Sequence, residues 1–264
     1  MLSSPILLTL AGTGFTFAMT ALGACAVFLI GKKKPDLWHS LSMGFAAGVM
    51  TAASCWSLLI PSIELSADGP LPEWLPATAG FGLGALFLFA LDKLMPHMHP
   101  TSDTPEGPKA HLPRSSLLFM AVTLHNIPEG MSAGLSFGMA GLSGDPAALA
   151  SAVALAVGLG IQNVPEGAAV ALPLLLDGKS KGYAFTLGAL SGLAEPVFGI
   201  LAAFAVAAVA PAMPWLLAFT AGAMIYVVVE ELVPSAHLSE HSDSGTLSFI
   251  AGFLVMMALD VALG

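Results

Sequence analysis

The sequence predicts an all-α protein that crosses a membrane eight times, and its composition and hydropathy pattern are the basis for this prediction. The chain has 264 residues, of which 56% are hydrophobic and only 9% are Asp, Glu, Lys or Arg; a typical soluble domain has about 25% charged residues. The apolar residues form long continuous runs, and one membrane-spanning helix needs about 20 of them. This composition excludes a soluble globular domain, a disordered chain and a nucleic-acid-binding protein.

Short polar or Pro- and Gly-rich separators divide the apolar runs into eight spans of a single transmembrane domain. The strands of a membrane β-barrel would instead appear as alternating segments of about 10 residues. The predicted spans are residues 4–30, 37–62, 76–95, 114–140, 148–175, 182–209, 214–236 and 247–263. The N-terminus lacks the basic region and cleavage site of a secretory signal peptide, so we expect the first span to be retained.

The basic residues predict the orientation of these spans. All 8 Lys and Arg residues fall in or beside the loops that follow odd-numbered spans. Acidic residues instead occupy the loop after span 2. Because loops rich in Lys and Arg stay in the cytoplasm, both termini are expected outside, in a cell membrane and most simply a bacterial inner membrane.

A weak repeat relates spans 2 and 7. Residues 45–50 and 219–224 share the pattern F-x-A-G-x-M, yet the two spans run in opposite directions through the membrane. Related segments of opposite topology are typical of transporters that are built from inverted repeats. The sequence therefore predicts inverted repeats.

A second, stronger repeat places polar residues in the middle of spans 4 and 5. Residues 125–130 read H-N-I-P-E-G and residues 162–167 read Q-N-V-P-E-G. Residues three or four positions apart share one helix face, so each motif presents two polar side chains and a glutamate together. The proline of each motif leaves one backbone carbonyl without its helical partner. Span 6 adds Glu195, which is also followed by a proline.

Three glutamates near the bilayer centre need neutralising, because no Lys or Arg lies in the central part of any span. A charged side chain there costs about 3 kcal/mol even on insertion scales. Either the glutamates are protonated or a cation lies among them. Carboxylate, imidazole and amide ligands without thiolate suit Zn²⁺, Fe²⁺ or Mn²⁺. Two glutamates on facing helices can also bridge a pair of metals.

These paired motifs resemble those of the ZIP (Zrt/Irt-like) divalent metal transporters. The helix 6 Glu-Pro pair, the run V-E-E-L-V-P-S-A-H at residues 229–237 and the histidine-containing third loop, residues 96–113, fit the same family. The resemblance implies eight helices in a 3+2+3 arrangement and no enzyme activity. It also implies a binuclear metal site. The transported ion would be zinc, or a related ion such as iron, manganese or cadmium. It would move into the cytoplasm by alternating access. A homodimer is a further expectation from the family.

The resemblance also implies a ligand set at matching positions. One metal would be held by His125, Glu129, Gln162 and Glu166. The second would be held by Asn126, Glu129, Asn163, Glu166 and Glu195, so that both motif glutamates bridge. Many relatives have a second histidine where this chain has Gln162.

Further acidic residues and histidines lie near the ends of the spans. Glu64 and Asp68, at the outer mouth, can attract cations, although an ordinary solvated loop explains them equally. By resemblance, an exit relay would use Asp92, Glu230, Glu231 and His237. The third loop contains His97, His99 and His111, which bind metal transiently or belong to a plain disordered segment.

The sequence motifs alone leave two other classes of function open. An intramembrane metallohydrolase would use a glutamate as general base on a metal-bound water, but the sequence lacks H-E-x-x-H. A proton-conducting channel or a proton-coupled carrier of an organic cation would also place glutamates in the membrane. The expected partners are divalent metal ions, the lipid bilayer and, from the family, a second copy of the chain; no nucleic acid is expected.

Overall fold

A computed structural model describes residues 5–29, 36–67, 69–98, 105, 107–108, 113–208, 210–236 and 243–263. We label the helical segments α1 to α8 in chain order. They are α1, Pro5–Ala24 and Ala26–Leu29; α2, Asp36–Ala53, Ser54–Leu59 and Ile60–Ser66; α3, Trp74–Leu94; α4, Arg114–Ser143; α5, Pro146–Leu176; α6, Lys181–Ser191 and Ala194–Ala208; α7, Met213–Val227, Val228–Leu232 and Val233–Ala236; and α8, Ser244–Leu263.

The helices are those of a multi-pass membrane protein. Within the described ranges, seven helices are long and apolar enough to cross a membrane. The remaining long helix, α4, has 30 residues, and the polar residues of its motif lower its mean hydropathy. The predicted all-α multi-pass fold is therefore confirmed.

A short turn joins α4 to α5 and makes them neighbours. Gly144 ends α4 with a left-handed φ of 66°, a conformation that favours glycine. Asp145 then caps α5 by accepting a hydrogen bond from the Ala147 backbone at 3.0 Å, and Pro146 occupies the first helical position. The two helices pack against each other along their length, which brings the two polar motifs together.

The remaining contacts divide the bundle into two groups of four helices. Helices α1, α4, α5 and α6 pack closely on one another, and α2 packs on α3, α7 and α8, with the closest pairs α4–α6, α1–α5, α2–α8 and α3–α7. Between the groups, α5 contacts α2 and α8, and α4 contacts α7. The polar motifs therefore lie beside the seam between the two groups.

Glycines allow α4 to lie very close to α6. A Cβ atom added to Gly130 would overlap the backbone of Glu195, and one added to Gly134 would overlap the backbone of Gly199. Small residues at such positions let membrane helices approach each other. This contact brings Glu195 beside the motif of α4.

Helices α2 and α7 share an irregularity that the sequence did not reveal. Each contains a π-helical turn, at Ser54–Leu59 and Val228–Leu232. Each turn begins four residues after the methionine of the F-x-A-G-x-M pattern. Turns of this kind re-aim side chains and are frequent at functional sites. In α7 the turn contains Glu231, and in α2 it contains Ser57, which donates a hydrogen bond of 2.7 Å to Asp260 of α8.

We expect the substitution Gly84→Ala to destabilise the α3–α7 contact. A Cβ atom there would overlap the backbone carbonyl of Phe219, whereas one added to Gly82 would have no neighbour within 4 Å. Overpacking of this kind costs about 1–3 kcal/mol. Thermal unfolding of the detergent-solubilised protein should show a lower midpoint for Gly84→Ala and no loss for Gly82→Ala. Equal midpoints for the two variants would show that the α3–α7 contact is looser than described.

Candidate metal centre

The two motifs form a single buried cluster between α4 and α5. Asn126, Glu129, Gln162 and Asn163 are fully buried, and Glu166 is 6% exposed. The amide of Gln162 donates a hydrogen bond of 2.5 Å from Nε2 to Oε1 of Glu129. Since Gln162 lies on α5 and Glu129 on α4, this bond joins the two motifs directly.

The side-chain amides of the cluster all use their nitrogen atoms on protein acceptors. Asn126 donates to the backbone carbonyl of Ser191 at 2.8 Å, a group at the end of the first part of α6. Asn163 donates to both carboxylate oxygens of Glu195, at 2.9 and 3.0 Å, and to the carbonyl of Thr16 at 3.2 Å. These bonds fix the orientation of each amide, because an amide oxygen cannot donate.

Five oxygen atoms of the cluster are left without hydrogen-bond partners. They are Oδ1 of Asn126, Oε2 of Glu129, Oε1 of Gln162, Oδ1 of Asn163 and Oε2 of Glu166. A buried polar atom without a partner costs about 1–3 kcal/mol, and more when it is charged. A cation that accepts electron pairs from these oxygens would remove that cost.

The cluster brings several carboxyl groups together, and no Lys or Arg lies in the central part of any span to balance their charge. Glu129 interacts electrostatically with Glu166 and Glu195, and Glu166 also interacts with Glu231 of α7. Among the described residues, no group of three or more His, Cys, Asp or Glu side chains could hold a metal by itself. Any metal centre here therefore depends on the amide oxygens as well.

His125 contacts α7. Its Nε2 lies against Oε2 of Glu231, and the His125 side chain is 14% exposed. Because Glu231 lies in the π-helical turn, that turn places a fourth carboxylate beside the motif of α4. Imidazole nitrogen is a common ligand of transition metals.

A small cavity reaches His125 from the end of the bundle at which α4 begins. Its lining is Leu88, Asp92, His97, Leu124, His125, Tyr226, Val227 and Glu230. Oδ1 of Asp92 lies 2.9 Å from Nε2 of His97, and its Oδ2 lies 3.2 Å from Nζ of Lys93. A larger cavity of about 760 Å³, lined mostly by apolar residues, lies at the opposite end beside Ser66, Asp145 and Trp215.

Comparison with known proteins identifies the chain. The ZIP zinc transporter family model matches residues 102–260. The chain belongs to the ZIP family.

Curated relatives of this ZIP protein align along almost the whole chain. Zinc transporter ZIP11 of Homo sapiens is 35% identical, with 99% of this chain and 98% of the relative covered. Zinc transporter GufA of Myxococcus xanthus is 37% identical, with 97% and 96% covered. Zinc transporter ZupT of Escherichia coli is 32% identical, with 97% and 95% covered. The predicted family is therefore confirmed, and this ZIP protein is a metal transporter rather than an enzyme.

The predicted site residues of the ZIP protein divide into three sets. The six motif residues and Glu195 lie in or beside the cluster: His125, Asn126, Glu129, Gln162, Asn163, Glu166 and Glu195. Of the predicted pathway residues, Glu231 joins the cluster, Asp92 and Glu230 line the small cavity, and Glu64 is exposed at the far end of α2. Asp68 and His237 lie outside the described residues, as do His99 and His111.

Sequence reasoning missed the contribution of α1 to this cluster. The carbonyl of Thr16 accepts from Asn163, and the hydroxyl of Thr20 donates to Glu195 at 3.2 Å. The signal was available, because four threonines recur at helical spacing in an otherwise apolar span: Thr9, Thr13, Thr16 and Thr20. Such spacing marks one helix face, but it does not reveal what that face contacts.

We expect Gln162→His to increase zinc affinity. Imidazole is a better ligand for Zn²⁺ than an amide oxygen, and the position is buried beside Glu129 with its oxygen unpaired. Titration of the purified protein should give a dissociation constant about tenfold lower. The matched variant Gln162→Leu removes the oxygen and should bind zinc more weakly than the unmodified protein. Equal affinity of all three proteins would exclude position 162 from the metal centre.

Proposed function

We propose that this ZIP protein transports Zn²⁺, or a similar divalent transition metal, from outside into the cytoplasm through the cluster of α4 and α5. The observation that carries the proposal is the set of five buried oxygens without partners, together with carboxylates in spans whose central parts contain no Lys or Arg. In the membrane interior, the transported ion would itself supply the positive charge that compensates these carboxylates. The relatives are named zinc transporters, which favours zinc; iron, manganese and cadmium are further candidate ions.

The cluster is proposed to hold two metals. The first would be bound by His125, Glu129, Gln162 and Glu166, and the second by Asn126, Glu129, Asn163, Glu166 and Glu195. Each proposed amide ligand has its oxygen unpaired and its nitrogen engaged elsewhere, as a ligand needs. Glu195 differs, because both of its oxygens accept hydrogen bonds from Asn163.

Alternating access is the proposed mechanism. Because the cluster lies beside the seam between the two four-helix groups, a movement of one group against the other would expose it to either side in turn. The small cavity at His125 would then be the cytoplasmic exit, and the larger cavity would lie on the outer side. The moderate ligand strength of amide oxygens suits an ion that must also leave.

The proposed topology follows from the basic residues. Both termini would lie outside, in a cell membrane such as a bacterial inner membrane. Glu64 and Asp68 would attract cations at the entrance, and Asp92, Glu230, Glu231 and His237 would form the exit relay. The 3+2+3 arrangement and the homodimer remain proposals. The inverted repeats are also a proposal, and the matching π-helical turns of α2 and α7 support it.

Flux measurement tests the function directly. Proteoliposomes containing the protein should accumulate Zn²⁺ down its gradient, and parallel assays with Cd²⁺, Fe²⁺ and Mn²⁺ rank the ions. Setting internal and external pH independently shows whether protons are coupled. Hydrolysis of a lipid or peptide without any ion flux would instead favour a metallohydrolase.

We expect Glu129→Ala and Glu166→Ala each to abolish zinc uptake while the protein remains folded in the membrane. Each substitution removes a buried carboxylate whose Oε2 is unpaired and which both proposed metals share. The control Glu73→Ala removes an exposed carboxylate outside the helices and should transport normally. Normal uptake by both glutamate variants would overturn the assignment of the site.

We expect Glu231→Gln to reduce uptake more than Glu230→Gln does. Glu231 is buried and contacts Nε2 of His125, whereas its neighbour Glu230 is exposed. Carboxylates that orient a ligating histidine are worth about 10–100-fold in metal affinity or activity. Zinc uptake at several concentrations should therefore fall at least about tenfold for Glu231→Gln. If both variants behave alike, the contact with His125 has no role in transport.

A further inference from the structure

Helix α1 has a polar face that is entirely buried within the bundle. Thr9, Thr13, Thr16 and Thr20 are all fully buried. Three of the hydroxyls donate to carbonyls of the preceding turn, at 2.7, 3.0 and 3.3 Å. This is the ordinary use of threonine in a membrane helix. The Thr20 hydroxyl also lies 3.2 Å from an acceptor on another helix, Oε1 of Glu195.

Glu195 is held by α1 and α5 together. Its carboxylate is 1% exposed and receives Thr20 Oγ1 and Asn163 Nδ2 on Oε1, and Asn163 Nδ2 again on Oε2. The Thr16 side chain also interacts with it. A buried carboxylate that accepts several hydrogen bonds is fixed in orientation as well as stabilised.

Glu195 in turn determines which end of Asn163 faces the cluster. Nδ2 of Asn163 has two hydrogens, and its acceptors are Thr16 O and the two oxygens of Glu195. If the amide were reversed, Oδ1 would lie against three acceptor atoms and repel them. Oδ1 therefore points to the other side, where it has no partner and can bind a cation.

We propose that Thr20 is a positioning residue of the metal centre, which acts through Glu195 to keep Oδ1 of Asn163 directed at the bound cation. This inference rests on the proposed function, because it assumes that the cluster binds a divalent metal. Removal of the Thr20 hydroxyl takes one donor away from Oε1 of Glu195 and so holds its carboxylate less firmly. The acceptors that Glu195 offers to Asn163 are then less well fixed, and the oxygen of Asn163 is less well preorganised for the metal.

Packing by Thr20 must be separated from hydrogen bonding by its hydroxyl. The Thr20 side chain contacts Gly192, and its backbone carbonyl lies against Gly167. Thr20→Val keeps the branched shape and removes only the hydroxyl, whereas Thr20→Ser keeps the hydroxyl and removes a methyl group. The two variants therefore test hydrogen bonding and packing independently.

Thr9 supplies a matched control on the same helix. It is fully buried like Thr20, and its hydroxyl has no partner. Thr9→Val thus makes the same chemical change on the same face of α1, away from Glu195. Any general effect of a buried threonine-to-valine change on insertion or folding should appear in both variants.

The experiment combines zinc titration of the purified full-length protein with zinc uptake by proteoliposomes. We expect Thr20→Val to bind zinc about tenfold more weakly, since hydrogen bonds to charged groups are the stronger ones. Its KM for uptake should rise more than its maximal rate falls, while Thr20→Ser and Thr9→Val stay within about twofold of the unmodified protein. Thermal unfolding of all four proteins verifies that they are folded.

Two results would overturn the inference. One is a dissociation constant for Thr20→Val equal to that of Thr9→Val. The other is equal weakening in Thr20→Val and Thr20→Ser, which would assign the effect to packing. Failure of the proposed function is distinguishable from both, because the unmodified protein would then neither bind nor transport zinc.

Discussion

The fold is organised around buried negative charge that the chain does not neutralise by itself. Glu129, Glu166 and Glu195 lie between helices in a membrane protein whose few basic residues are all near the helix ends. In a low-dielectric interior such charge is expensive unless a cation or a proton accompanies it. The surrounding amides do not remove this cost, since they donate to some oxygens and leave others unpaired. The arrangement of the protein's own polar groups is therefore the basis on which the cluster is proposed to bind a divalent ion.

Interruptions of regular helix supply much of this arrangement. The break in α6 after Ser191 exposes a carbonyl, which the amide of Asn126 satisfies. The π-helical turn of α7 directs Glu231 towards His125. Non-helical or distorted backbone within a membrane is tolerated only where protein groups or a polar cavity satisfy it. In this protein the irregular segments of α6 and α7 contact the polar motif of α4. The motif therefore supplies polar partners for these segments, and the segments supply polar partners for the motif.

The sequence predicted the cluster of α4 and α5 well because its evidence was local. Helical spacing alone puts Asn126 and Glu129 on one face, and the repeat of the pattern at Asn163 and Glu166 indicates a shared centre. The contribution of Thr20 could not be predicted in the same way. Its hydroxyl reaches Glu195, which lies 175 positions away in the chain, and periodicity identifies a buried face without identifying its partner.

The sequence by itself determined the class of the protein, the membrane-spanning character of its helices and the chemistry of the centre. These properties depend on composition and on residue spacings within single helices. Both are properties of the sequence and do not depend on how the helices pack. Only the tertiary structure decided which atoms of the centre are available. The amide nitrogens of Asn126, Gln162 and Asn163 donate to partners on other helices, and their oxygens are left unpaired. Orientation of an amide depends on its neighbours in space, and helix packing alone brings those neighbours together.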